Sequence, residues 1–283
     1  MEIRLTALAR AIADCWEVAE KKTASEVAQK HYDPQEEGIT FLFAGELRAA
    51  VAEASSRGEF DRAFLSDLHS NFPKLGGDLS FHGTGLVARV NFHNRQHEGR
   101  RSGSDLGIVV SQPSVSGYPG AAEIAIVRDR RRALMAQAKL NQRPRGRSGR
   151  VRWGPLRNNQ VKILEDHLDH SALLIYRLGG RLRTELGPFK WQLLRGRTMD
   201  EIKSWLRTGA FPAEETSGGV IEGLSFGSLG TEDAALIDAL VDPASSAATA
   251  VEIRVFWPEG TGPTGRVRLR RDVEQLAQVQ LLR

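Results

Sequence analysis

The segment 133–139 constrains the fold of this chain more than any other stretch. Alternation along a strand divides its side chains between two faces, with Ala133, Met135, Gln137 and Lys139 on one and Leu134, Ala136 and Ala138 on the other. Both faces are apolar as far as Gln137, which is typical of a central strand covered on both sides. An amide and an ammonium group at the end of such a strand are costly to bury unless an anionic group meets them.

A second short apolar strand, 105–110, begins with Asp105. An acid at the start of one strand and a Gln-x-Lys triplet on a neighbouring strand are typical of sites that cleave phosphodiesters. There the carboxylate holds Mg²⁺, which polarises the phosphoryl oxygen and lowers the pKa of a bound water. Lys139 can orient or deprotonate that water and stabilise charge on phosphorus. The alternatives are that Asp105 is an ordinary turn residue and that Lys139 only extends from a strand end towards solvent.

The charge distribution favours nucleic acid as a partner. The formal net charge of the 283 residues is only +4, but the segment 128–157 carries ten arginines and one lysine against the single acid Asp129. Such a run suits a phosphate backbone; its alternative interpretation is a solvated loop. The candidate nucleic-acid-binding residues are Arg131, Arg132, Arg143, Arg145, Arg147 and Arg150, with Gln160 on the next helix as a further candidate for contact with the phosphate or with Lys139.

The remaining composition excludes several classes of protein. Cys15 is the one cysteine, so neither a disulfide framework within the chain nor a Cys-rich zinc site is expected. No segment has the roughly 18 consecutive apolar residues that a membrane span needs, and charged residues interrupt any apolar run at the N-terminus. We therefore expect a cytoplasmic protein without membrane association.

The order of the expected elements favours an α/β or α+β core. Helices are expected over 3–30, 33–55, 59–71 and 158–168, and strands over 86–92, 105–110, 123–127, 133–138 and 172–176. The second helix is expected to start at Asp33 as N-cap, with Pro34 at the first position and Glu36 closing a capping box. The segment 112–122 is expected to be a loop, and 123–127 is expected to pair with 133–138 as a hairpin through 128–132.

Beyond residue 179 the pattern is weaker. It predicts helices over 198–206 and 231–240, a strand over 251–257, and a break at Gly218-Gly219. Thr198 and Glu201 form the capping box of the first of these helices. The chain thus divides into an N-terminal helical segment 1–32, a core 33–178, and an extension 179–283 that either completes the same sheet or forms an appendage.

The core resembles the PD-(D/E)XK, or restriction-endonuclease-like, nuclease superfamily. The matching residues are Asp105, within Gly-Ser-Asp-Leu-Gly, and the triplet from Gln137 to Lys139. The resemblance implies a mixed β-sheet flanked by helices, cleavage of DNA that depends on Mg²⁺ or Mn²⁺, and a supporting glutamate on the preceding helix. Gln137 stands where most members carry a metal-binding carboxylate, and in this respect the chain is similar to the Mrr-like branch. The resemblance makes Gln137 a metal ligand through its carbonyl oxygen, with weaker Mg²⁺ binding than a carboxylate gives.

Two glutamates are candidates for the supporting acid. At about 100° per residue, Glu36 lies at the centre of the apolar face of the second helix and Glu46 at its edge, whereas Glu37 points away. The alternative for Glu36 is the capping-box role, and that for Glu46 is a boundary position paired with an arginine. Both are kept as candidate catalytic residues, and Glu46 as a candidate metal ligand.

The sequence thus favours a Mg²⁺-dependent DNA endonuclease serving restriction or anti-phage defence, with double-stranded DNA as substrate. One alternative is a weakly active or inactive nucleic-acid-binding module on the same fold. Another is an interaction subunit of a larger defence complex. The resemblance also implies an activating or sensor protein partner, and a homo-oligomeric state stays open.

Overall fold

The computed structural model describes residues 3–30, 35–73, 87–92, 105–117, 124–142, 152–156, 158–179, 185–241 and 267–269. Within these ranges the helices are α1 (Thr6–Lys30), α2 (Glu36–Ser56), α3 (Glu59–Asn71), α4 (Asn158–Glu165), α5 (Met199–Thr208), α6 (Ser217–Phe226) and α7 (Ala234–Val241). The strands are β1 (Val87–Phe92), β2 (Leu106–Ser116), β3 (Ile124–Gln142), β4 (Arg152–Trp153), β5 (Ser171–Tyr176), β6 (Leu178–Gly179), β7 (Glu185–Leu186), β8 (Lys190–Leu193) and β9 (Val267–Leu269).

The long strand β3 is the centre of a mixed sheet in the order β1-β2-β3-β5-β8. The pairs β1–β2, β2–β3 and β5–β8 are antiparallel, whereas β3 and β5 run parallel. The short strands β4 and β9 also pair with β3. The expected mixed α/β architecture, with a mixed sheet flanked by helices, is therefore confirmed.

Both faces of β3 are covered, as its sequence predicts. Leu134, Ala136 and Ala138 pack into the main core with α1, α2, α3 and α6. On the opposite face, Ala133 and Met135 contact α7. The neighbouring strand β5 buries Leu173 and Ile175 against α5 on that same face. Gln137 and Lys139 are only 1% and 4% exposed, so both polar groups are enclosed between these layers.

The strands β2 and β3 correct the expected hairpin. β2 continues through the predicted loop to Ser116, and β3 is one continuous strand, so 123–127 and 133–138 do not pair with each other. The segment 128–132 pairs instead with 110–114. This segment has no Asn-Gly or Asp-Gly pair to favour a tight turn. Its backbone groups form their hydrogen bonds with β2 instead. A register shift between Ser114 and Val115 lies next to Pro113, which is where a strand tolerates proline.

Helix starts account for three further corrections. α2 begins at Glu36 with Gln35 as N-cap; the expected Asp33 and Pro34 lie outside the described residues. The predicted break at Gly218-Gly219 is wrong, because both glycines fall in the first turn of α6, whose N-cap Thr216 accepts a hydrogen bond from the Gly219 amide at 3.1 Å. α7 begins at Ala234 rather than after Thr231 because the Thr231 backbone pairs with Ala133.

The segment 185–241 completes the core that the first 179 residues begin. β8 joins the sheet through β5, and α6 packs on α1. Trp191 on β8 lies 6.1 Å from Trp16 on α1, measured between ring centroids. The predicted strand 251–257 lies outside the described residues. Among the described helices, none is long and apolar enough to cross a membrane.

Candidate active site

Asp105 immediately precedes β2 and extends its pairing with β3. Its backbone amide donates to the Ala136 carbonyl at 3.0 Å. Its Oδ2 atom accepts a hydrogen bond from the Ala138 amide at 2.7 Å and another from Nε2 of Gln137. The Asp105 carboxylate thus accepts the Ala138 amide of β3 just before the first residue of β2, where β3 continues beyond its pairing with β2.

Glu36 contacts the same edge of β3 two residues further along the strand. Its Oε2 atom accepts a hydrogen bond from the Leu140 amide at 2.9 Å. Amides two residues apart in a strand point to the same side and are separated by about 7 Å. The carboxylates of Asp105 and Glu36 therefore lie in sequence along one strand edge, the first carried by β2 and the second by the first turn of α2.

Lys139 lies between these two positions in the sequence, and its ammonium is buried. Its Nζ atom is 3.6 Å from Oε1 of Glu36, and its side chain is 4% exposed against 28% for Glu36. A buried ammonium is stable only with an anionic partner. The expectation that anionic groups meet the polar end of β3 therefore holds for Lys139.

Two glutamines connect the site to α4. Nε2 of Gln160 donates to Oε1 of Gln137 at 3.2 Å, and Nε2 of Gln137 donates to Asp105. Both glutamine side chains are buried. Gln160 was a candidate for contact with a phosphate or with Lys139, and the structure places its side-chain NH₂ against Gln137.

A buried hydroxyl pair fixes the start of α2 above the sheet. Thr40 donates to the Glu36 carbonyl at 2.8 Å, and its Oγ1 lies 3.0 Å from the Tyr176 hydroxyl. Because the threonine proton is used on Glu36, Tyr176 is the donor of the second bond. Burial raises the pKa of Tyr176 well above its ordinary value, and the nearby charges of Glu36 and Asp105 raise it further. Tyr176 therefore stays a neutral donor to Thr40 at the start of α2.

Sequence reasoning missed Thr40 and Tyr176. The interval of four residues from Glu36 to Thr40 was a usable signal, since it places both on one side of α2. The parallel pairing of Leu140 with Tyr176, which brings the tyrosine under α2, had no local sequence signature.

The structure does not bring Glu46 to this site. Ten residues of helix separate it from Glu36, or about 15 Å along the axis. Within the part of the chain that the structure describes, no contact joins Glu46 to Asp105, Gln137 or Lys139. Glu36 is the helix glutamate that meets the strand edge.

The candidate nucleic-acid-binding arginines have different surroundings. Arg131 is exposed. The Arg132 side chain is 17% exposed, pairs with Glu232 at 2.6 Å, and donates to the Leu229 carbonyl at 3.3 Å. Four further candidates lie outside the described residues, namely Arg143, Arg145, Arg147 and Arg150.

The chemistry of these donors suits Mg²⁺. The ion is bound in proteins through one or two carboxylates and takes its other ligands from water and substrate phosphates. Asp105 and Glu36 supply two carboxylates on one strand edge. Across the described residues no cluster of three or more histidine, cysteine, aspartate or glutamate side chains forms a metal site, and a site of two carboxylates does not need one.

No known family model matches the sequence, and no curated protein matches it either.

Proposed function

We propose that this protein is a Mg²⁺-dependent DNA endonuclease with a restriction-endonuclease-like fold, serving restriction or anti-phage defence in the cytoplasm. The observation that carries the proposal is the set formed by Asp105, Glu36 and Lys139. Two carboxylates bind successive amides on one edge of β3, and a buried lysine from the intervening position contacts one of them. Burying this much charge in one place is costly, which favours a catalytic over a structural role.

The topology supports the same family. Helices α2 and α3 are followed by the antiparallel strands β1, β2 and β3, then by the short strand β4, helix α4 and strand β5, which is parallel to β3. The superfamily resemblance implies an order of helix, sheet, helix and strand. Asp105, just before β2, and Lys139, on β3, lie on neighbouring antiparallel strands of that sheet.

The chemistry follows from the side chains. Asp105 and Glu36 would hold the ion, which supplies polarisation of the phosphate and acidification of a bound water. Lys139 keeps its ammonium beside Glu36, where it can donate to the attacking water or to a phosphate oxygen. Attack by a water that has lost its proton to solvent would form an oxygen–phosphorus bond and break the bond to the leaving oxygen, which takes a proton from solvent. The ammonium would offset the charge that develops on the phosphoryl oxygens.

A second function is favoured by one observation. Gln137 has no negative charge at a position where a metal-binding carboxylate is usual in the family that the chain resembles, and its amide is turned towards Asp105. A nucleic-acid-binding module without catalysis would fit that arrangement. Calorimetry separates the two functions, because such a module takes up neither Mg²⁺ nor Mn²⁺ yet binds DNA with strong dependence on salt.

The test is cleavage of supercoiled plasmid with Mg²⁺, Mn²⁺ or EDTA by wild type, Lys139→Ala and Lys139→Met. Lys162→Ala, which removes an exposed lysine from α4, is the matched control. We expect metal-dependent nicking by wild type and the control, and a loss of at least 100-fold in both Lys139 variants. Cleavage retained by a folded Lys139 variant contradicts the assignment of this lysine.

A further inference from the structure

The direction of the hydrogen bonds from α4 to Asp105 is fixed by chemistry. An ionised carboxylate only accepts, so the Gln137 group facing Asp105 is its NH₂. The Gln137 carbonyl oxygen then faces the other way, and the group that meets it from Gln160 is again an NH₂. The two amide orientations therefore follow from the charge of Asp105, although nitrogen and oxygen of an amide have almost the same shape.

We infer that Gln137 is a positioning residue and not a metal ligand: with Gln160 it forms an amide relay that orients the Asp105 carboxylate. The inference rests on the proposed function, since it concerns the metal site of that enzyme. It also makes Gln160 a positioning residue, which acts through Gln137 and not by contact with metal or phosphate.

Burial makes this relay specific. Gln137 and Gln160 are 1% and 3% exposed, so neither can exchange a protein partner for bulk water without cost. Turning the Gln137 carbonyl towards a metal beside Asp105 would break two bonds at once. It would also leave the Gln160 amide facing the Gln137 NH₂, donor against donor. The arrangement therefore holds Asp105 Oδ2 between the Gln137 amide and the Ala138 backbone amide.

The relay makes glutamate at position 137 unfavourable. A carboxylate there can accept from Gln160, but it cannot donate to Asp105 and repels it. If Gln137 were instead a ligand through its carbonyl, a carboxylate in its place would strengthen metal binding. Gln137→Glu therefore has opposite expected effects under the two interpretations.

The deciding experiment is Mn²⁺ binding by isothermal titration calorimetry without DNA. We expect Gln137→Glu, Gln137→Met and Gln160→Met each to raise the dissociation constant about tenfold or more, the range for residues that orient metal ligands. The double variant Gln137→Met/Gln160→Met should have a Mn²⁺ dissociation constant no higher than that of the weaker-binding single variant, because both changes interrupt one relay. Tighter binding by Gln137→Glu, or unchanged binding by Gln160→Met, would overturn the inference.

Gln192 provides the matched control. It is a buried glutamine on β8, and its register with Leu173, which in turn pairs with Gln137, puts it on the same face of the sheet two strands away. Gln192→Met should leave the Mn²⁺ dissociation constant within twofold of wild type.

A measurement on the metal-free protein separates the relay from the proposed function. In wild type, the Gln137 side-chain NH₂ should exchange with solvent far more slowly than that of the exposed Gln29, and Gln160→Met should abolish this protection. Rapid exchange in wild type would contradict the relay even if the variants fail to fold. Wild type that shows this protection but binds no Mn²⁺ would contradict the nuclease and the ligand-orienting role, and leave a purely structural hydrogen-bond chain.

Discussion

At the scale of single residues, Glu36 explains how a lysine is accommodated inside the protein. One carboxylate oxygen binds the Leu140 amide and the other lies beside the Lys139 ammonium. The position in the first turn of α2 adds to this, because the positive end of a helix dipole favours a carboxylate. The same residue thus anchors α2 to β3 and supplies the anion that Lys139 needs.

Glu36→Gln should therefore reduce DNA cleavage at least 100-fold, whereas Glu46→Gln should change it less than about threefold. A glutamine that keeps its oxygen on the Leu140 amide places its NH₂ beside Lys139. It also loses the charge that holds metal. Initial rates of plasmid nicking at saturating Mn²⁺ measure both variants. An equal loss from the two substitutions would show that the supporting acid is not Glu36.

The neighbouring residues Arg131 and Arg132 should differ in what they contribute. Arg131→Ala removes an exposed cation and should lower the slope of log affinity for duplex DNA against log salt by about one. Arg132→Ala breaks a pair with Glu232 and a bond to the Leu229 carbonyl, so it should lower stability more than it changes that slope. Fluorescence anisotropy at several salt concentrations, with thermal melting, measures both effects. Equal slopes for wild type and Arg131→Ala would exclude Arg131 from DNA binding.

At the scale of elements, α5 shows a complete local start signal. Thr198 accepts a hydrogen bond from the Glu201 amide, and the Glu201 carboxylate accepts one from the Thr198 amide at 2.8 Å. Thr198→Ala should cost about 1 kcal/mol of unfolding free energy. Ser204→Ala, in the same helix, should be neutral or slightly stabilising. Urea denaturation measures both variants, and a neutral Thr198→Ala would show that the cap is redundant with tertiary packing.

Elements with such local signals were predictable from sequence. The capping box placed the start of α5, and uninterrupted apolar runs placed β5 and the centre of β3. The candidate site residues Asp105 and Lys139 were recognisable for the same reason, because each of them flanks an apolar run in the sequence. Where long-range pairing overrides local preference, prediction failed. The arginines of 128–132 stay extended because β2 pairs with them, and no local pattern carries that information.

The choice between Glu36 and Glu46 illustrates the same limit within the site. Helical periodicity places both glutamates near the apolar face. Which one reaches β3 is decided by the position of α2 along its own axis relative to the sheet. That position depends on the contact between Thr40 and Tyr176, which are far apart in the sequence. The partner of Gln160 was unpredictable for a similar reason, since the packing of α4 on the sheet determines it.

At the scale of the whole molecule, one buried cluster joins the N-terminal helix to the segment after residue 179. Ser217 at the start of α6 donates to Glu20 on α1, and Nε1 of Trp191 on β8 donates to the Ser217 hydroxyl at 2.6 Å. Three elements distant in sequence meet at one carboxyl group. Burial raises the pKa of Glu20 to about 7 from the ordinary value of 4.5, against the opposing effect of the Ser217 hydrogen bond.

This carboxyl should make the stability of the whole chain depend on pH. Between about pH 4.5 and pH 7 the folded state retains a proton that the unfolded state releases, so the stabilisation is complete at low pH and is lost as pH rises through 7. Glu20→Gln removes the ionisation, and its stability relative to wild type should rise across that window by up to about 3 kcal/mol. Urea denaturation from pH 4.5 to pH 8 measures the difference. Asp14→Asn, at an exposed position of the same helix, is the control and should run parallel to wild type. If Glu20→Gln also runs parallel to wild type, Glu20 has no raised pKa in the folded protein, and the junction of α1, β8 and α6 is insensitive to pH.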